Sequence, residues 1–178
     1  MSKGNKKATK QTALGAMLIS IGIALASIIW FPILGAKAYP MQHMINAIGG
    51  VILGPIWIAF IAFAIGSIRN LLGIGTIYAM PGGIPGGIIV GLFYLLIVKA
   101  GREKYGNLAA LTEFIGTVFI GGTLSVYVVA PLFGDFQSVG ALIPFWVAFA
   151  ASSIPGSIIG FIILQMLRVG GIDREYFR

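Results

Sequence analysis

The stretch SIRNLLGIGTIYAMPGG, residues 67–83, places Arg69 and Asn70 directly after a run from Met41 to Ile68 that contains no acid, lysine or arginine. A charge within an apolar segment costs most at the centre of a bilayer and less near its edge, so it normally faces protein, water or a ligand. Arginine does not readily lose its charge and therefore suits an anionic or strongly hydrogen-bonding ligand. The plainer reading has Arg69 snorkelling to lipid headgroups or capping the last carbonyls of its helix. Two further polar residues, His43 and Asn46, lie in the preceding apolar run. The aromatics Trp30, Tyr39, Tyr78, Tyr127, Phe145 and Trp146 fall in the same outer third of the chain's apolar segments. They form either an ordinary interfacial belt or, with Arg69, Asn70, His43 and Asn46, the walls of a pocket for a flat heterocycle. Trp57 reads as a belt residue near the opposite face.

Other chemistries are missing. With no cysteine, disulfides, thiolate metal sites and cysteine nucleophiles are excluded. No GxxxxGK[ST] occurs, so the chain does not bind ATP through a P-loop. His43 is the single histidine, too few ligands for a metal cluster, and no metal or other cofactor is expected. Glu113 and Asp135 fall at opposite ends of one predicted helix, so no carboxylate pair is available for acid–base work. No catalytic residue is assigned, and an enzyme is not expected. For Glu113, in LTEFIGT, three roles stay open: a hydrogen bond across the bundle, a partner contact, or pocket lining. Its depth argues against the last.

The elements that position these residues follow from composition. Of 178 residues, 58% are hydrophobic and 10% charged, and mean hydropathy is +0.98. A soluble domain keeps about a quarter of its residues charged, so an all-α integral membrane protein is predicted. It forms one membrane-embedded domain over 1–178. Helices are expected at about 12–34, 41–54, 55–73, 84–100, 107–131 and 141–168. The start is basic, but the apolar run that follows is too long for a signal-peptide core and reads as a first membrane helix. The second helix is short for a crossing, and charge decides its status. Lys3, Lys6, Lys7 and Lys10 at one terminus, Lys99, Arg102 and Lys104 in one loop, and Arg168, Arg174 and Arg178 at the other terminus all mark the cytoplasmic side. A bundle of six transmembrane helices with both termini cytoplasmic is the only count that satisfies all three groups. The net charge of +7 is thereby explained without nucleic acid. The outer connections, roughly 35–40, 74–83 and 132–140, hold most of the mixed sequence and point to an external binding surface.

Small residues recur within the helices. Thr12, Ala16, Ser20 and Ala24 repeat every four positions and give a smooth ridge, suited to packing inside the bundle or to docking another protein. Gly49-Gly50, Gly86-Gly87-Gly91 and Gly156-Gly160 read as helix contacts. No internal duplication is evident, which weakens an inverted-repeat secondary transporter.

With these features in place, the chain resembles the substrate-binding S components of energy-coupling factor transporters. More narrowly, residues 46–94, NAIGGVILGPIWIAFIAFAIGSIRNLLGIGTIYAMPGGIPGGIIVGLFY, look like the ThiW group. The specific part is the NAxGGxxLGP turn followed by RNLLGxGTxxAxPG. The resemblance implies a plasma-membrane protein that captures the thiazole precursor of thiamine, hydroxyethylthiazole, at the outer face. It also implies three partners: a transmembrane coupling protein (the T component) and two cytoplasmic ATPases. In such proteins the first helix presents an AxxxA-like ridge to the coupling protein; here the ridge reads Thr-Ala-Ser-Ala, a departure from that pattern. An S component for another vitamin such as thiamine, or a stand-alone secondary transporter using Glu113, are the alternatives.

Overall fold

The computed structural model describes residues 3–177. Its helical segments are α1 (Lys3–Ile28), α2 (Pro40–Ile52), α3 (Pro55–Leu71), α4 (Ala79–Lys99), α5 (Glu103–Leu132) and α6 (Leu142–Val169). A two-stranded antiparallel hairpin, β1 (Phe31–Ile33) and β2 (Ala36–Ala38), joins α1 to α2. α5 is irregular: it opens as a 3₁₀-helix over Glu103–Thr112 and widens to π-helix over Ile115–Gly121 and Ser125–Val129.

α2 is the central post. All its residues from Pro40 to Ile52 are buried, and α1, α3, α4, α5 and α6 pack around it. Thirteen residues rise only about 20 Å at 1.5 Å each, so α2 is a short helix shielded by longer ones. Around it Leu18, Ile45, Ile58, Ile61, Ile65 and Val90 form the apolar core. The exterior is also apolar: Ile56, Phe60 and Phe63 of α3, Leu96 of α4, Phe119 of α5 and Ile162 of α6 all point outward. A surface of this kind is solvated by lipid rather than water. Segments of α1, α4, α5 and α6 are long and apolar enough to cross a membrane; α3 is apolar but shorter.

The first helix begins at Lys3 rather than near residue 12, and two further boundaries differ from the sequence reading, each for a local reason. The first helix ends at Ile28 rather than near residue 34, because Pro32 disfavours helix at the residue before it. The chain instead turns at Leu34-Gly35, both with positive φ (47° and 77°), as a two-residue hairpin requires. The fourth helix starts at Ala79 rather than 84. Pro81 fits its first turn, where backbone N–H groups have no intrahelical acceptor. The Pro81-Gly82-Gly83 stretch is therefore helix, and the connection before it shrinks to 72–78.

The hairpin, the 72–78 connection and the 133–141 connection share one end of the bundle. Both termini lie at the other. There Lys10 Nζ donates to Tyr176 O at 3.0 Å, and Arg174 lies 4.5 Å over the Tyr94 ring while donating to Val51 O.

Candidate ligand cavity

A cavity of about 550 Å³ opens at the hairpin end. Its deepest charged group is Arg69, in the last turn of α3 and only 2% exposed. The helix stops just beyond it. Gly73, at φ 70°, donates to Asn70 O, and Ile74 and Gly75 both donate back to Arg69 O at 3.0 and 2.9 Å. This glycine C-cap satisfies the carbonyls that the arginine would otherwise be free to cap. Gly75 lies flat on the Arg69 backbone; a Cβ there would come within 3.1 Å of it. The RNLLGIG sequence thus closes α3 with backbone groups and leaves the guanidinium for other work.

That guanidinium stacks on Tyr39, its central carbon 3.8 Å from the ring centroid, and donates through Nη1 to Gln42 Oε1. Tyr39 is fixed in turn by its hydroxyl, which donates to Ile74 O at 2.6 Å, and by its backbone N–H, which donates to Ser152 Oγ. Facing this group is an aromatic wall of Tyr78, Phe145 and Phe149, packed edge to face at 4.9 and 5.9 Å between centroids. At the rim the Tyr78 hydroxyl donates to Asp135, which also accepts from Ser138 Oγ at 2.7 Å. The bond from Tyr78, and then that from Ser138, hold the Asp135 carboxyl below the ordinary carboxylate range. The latch between the two connections is therefore formed at neutral pH and is lost only as pH falls through that lowered value.

Beneath the cavity lies a polar network. His43, which lines the floor, contacts Glu113 Oε1 through Nδ1 at 2.9 Å. Asn46 Nδ2 donates to the same oxygen at 2.9 Å and to Gly83 O at 2.9 Å, and Thr117 Oγ1 donates to it at 2.8 Å. Glu113, Asn46 and Thr117 are each 0% exposed. The glycines of α4 make room for this cluster: a Cβ at Gly86 would collide with Glu113 Oε1 and Thr117 Oγ1, and one at Gly83 would lie 2.5 Å from Gln42 Nε2.

Of the residues expected to wall a pocket, Tyr39, His43, Arg69, Tyr78 and Phe145 line the cavity. Asn46 lies below it. Asn70 is one residue past Arg69 and so points elsewhere around the helix. Trp30 is 42% exposed and carries Lys37 4.3 Å over its ring, outside the cavity. Tyr127 faces outward from α5, and Trp146 packs on Phe119 and over Gly122, beside Phe149 but outside the cavity lining. Gln42, Phe149 and Ser152 join the lining without having been singled out. A glutamine and a serine within apolar helices were the available signals.

Comparison with known protein families gives one finding. The family model described as thiamine-precursor transporter protein (ThiW) matches residues 12–169. The chain belongs to the ThiW family. Neither curated proteins nor solved structures give a significant match. The matched span takes in the whole cavity lining and all six helices apart from the first turns of α1. As a member of a ThiW transporter family with four long apolar helices, this is a multi-pass membrane protein.

Proposed function

We propose that this ThiW-family protein is the S component of an energy-coupling factor importer, capturing a thiazole-type thiamine precursor such as hydroxyethylthiazole. The cavity carries this reading: a space of about 550 Å³ with stacking walls and a few fixed hydrogen-bonding groups suits a small flat heterocycle. Its opening faces outward if the bundle crosses six times with both termini cytoplasmic. The charge distribution favours that orientation, since Lys10, Lys99, Arg102, Lys104, Arg168 and Arg174 gather at the end opposite the cavity.

Import then depends on a coupling protein and two ATPases, because the chain has no nucleotide motif of its own. The ridge of α1 supports docking: Thr12, Ala16, Ser20 and Ala24 are all exposed, while Leu14, Leu18, Gly22 and Ala26 face the bundle. One observation favours a stand-alone proton-coupled carrier instead, namely the buried Glu113–His43 pair below the cavity. Reconstitution decides between them. Liposomes holding this protein alone are expected to bind but not concentrate hydroxyethylthiazole, with uptake appearing only when the coupling protein, ATPases and ATP are added. Concentrative uptake by the protein alone would overturn the S-component reading.

A further inference from the structure

Arg69 is buried without a countercharge. Its interactions are one hydrogen bond to the neutral Gln42 and the face of Tyr39, and its Nε is sealed with no partner at all. Taking an ion from water into a protein interior is costly, and a carboxylate normally offsets the cost. None does so here. Among the described residues no Asp or Glu lines the cavity, whereas Lys37 and His43 line it beside Arg69. Neither acid at this end pairs with Arg69: Glu113 lies below the cavity with Oε1 shared by His43, Asn46 and Thr117 and Oε2 buried without a partner, and Asp135 is held by Tyr78 and Ser138. The site is built around a positive charge that the protein leaves for something else to neutralise.

We propose that the ligand is an anion: a small flat heterocycle bearing a carboxylate or a phosphate monoester, which docks on Arg69. The proposal rests on the thiazole-precursor reading above and narrows it to an acidic thiazole, with neutral hydroxyethylthiazole the weaker ligand. Stacking on Tyr39 fixes the plane of the guanidinium, so the Nη hydrogens not taken by Gln42 can meet a head-group oxygen without further ordering. Lys37 adds charge at the mouth, and the Tyr78–Phe145–Phe149 wall receives the ring. A neutral alcohol would accept a hydrogen bond and leave the charge uncompensated. Thiamine itself, with its cationic thiazolium, would be repelled.

Calorimetry on the full-length protein purified in detergent tests this with five probes: hydroxyethylthiazole, its phosphate monoester, a thiazole carboxylate, benzoate and thiamine. The better anion is expected to bind about ten- to a hundredfold more tightly than the neutral alcohol, with thiamine weakest. Whichever of phosphate and carboxylate binds more tightly identifies the head group. In Arg69→Gln the preference should collapse towards unity, and Arg69→Lys should keep part of it. The wild-type ranking decides the matter even where Arg69→Gln does not fold. Binding of hydroxyethylthiazole as tight as that of either anion overturns the anionic ligand and leaves the thiazole reading standing. Binding of benzoate without any thiazole supports the anion site and overturns the thiazole reading. Failure of all five overturns both.

Discussion

Arg69 was legible from sequence because a guanidinium among apolar residues is a contrast that any reading registers. Glu113 registered too, and of the roles left open for it the structure shows the hydrogen bond across the bundle, to His43 and Asn46, below the cavity and outside its lining. Depth counted along a regular helix does not by itself give its level below the cavity. The segment is 3₁₀-helical up to Thr112 and π-helical from Ile115, so its rise per residue is not the α-helical 1.5 Å on which such a count relies. Its partner His43 sits in the first turn of a helix only thirteen residues long, where it lines the cavity. The pairing makes a clear prediction. Glu113→Ala leaves His43 Nδ1, one Asn46 donor and Thr117 Oγ1 without their shared acceptor, and should destabilise the protein by about 3–5 kcal/mol in thermal unfolding. Glu113→Gln retains an acceptor oxygen and should cost well under half of that. If the partners act as one unit, the double variant His43→Ala/Glu113→Ala will lose less than the sum of the single losses. Additive losses would show that the two side chains are stabilised separately.

At the scale of elements, the six helices were readable because each apolar run is long and bounded by charge, glycine or proline. What the runs did not reveal was which face of each helix looks inward. In α1 nearly every position is apolar or small, so periodicity carries no direction, and a ridge at Thr12, Ala16, Ser20 and Ala24 fits packing inside the bundle as well as docking outside it. The structure places it outside. The two faces therefore respond differently to bulk. Gly22 meets the core, where an added Cβ would lie 2.6 Å from Ile65 Cδ1; Gly22→Leu should overpack the contact and cost about 1–3 kcal/mol. Ala16→Leu should change stability by no more than about 0.5 kcal/mol and leave ligand affinity unaltered. In the assembled transporter, however, it should cut uptake at least about tenfold, because a leucine holds two closely approaching helices apart. Undiminished uptake in Ala16→Leu would remove this ridge as the docking face.

The whole molecule poses a question of direction. Its cavity end carries Asp135 and the lone lysine Lys37, and its other end gathers nearly all the remaining basic side chains. Basic loops are retained on the cytoplasmic side, so the cavity should open outward. Length alone would not give this result: α2 and α3 are shorter than a typical span, and only four helices meet the usual criterion. Yet α2 and α3 are joined by the tight Gly54-Pro55 turn, which lies with Arg174 at the end bearing the termini, while α3 ends at the cavity. Each short helix therefore runs from one face of the bundle to the other, and the longer helices around them provide the thickness. A cysteine-free chain makes the orientation directly measurable with single cysteines and an impermeant thiol reagent on intact cells. Gln137→Cys, on the exposed connection beside Asp135, should be labelled from outside. Lys6→Cys and Tyr176→Cys should be labelled only after permeabilisation. Labelling of just one terminus would require an odd number of crossings and break the six-helix path. Labelling of both termini with position 137 protected would turn the cavity towards the cytoplasm and leave an importer with no external site to fill.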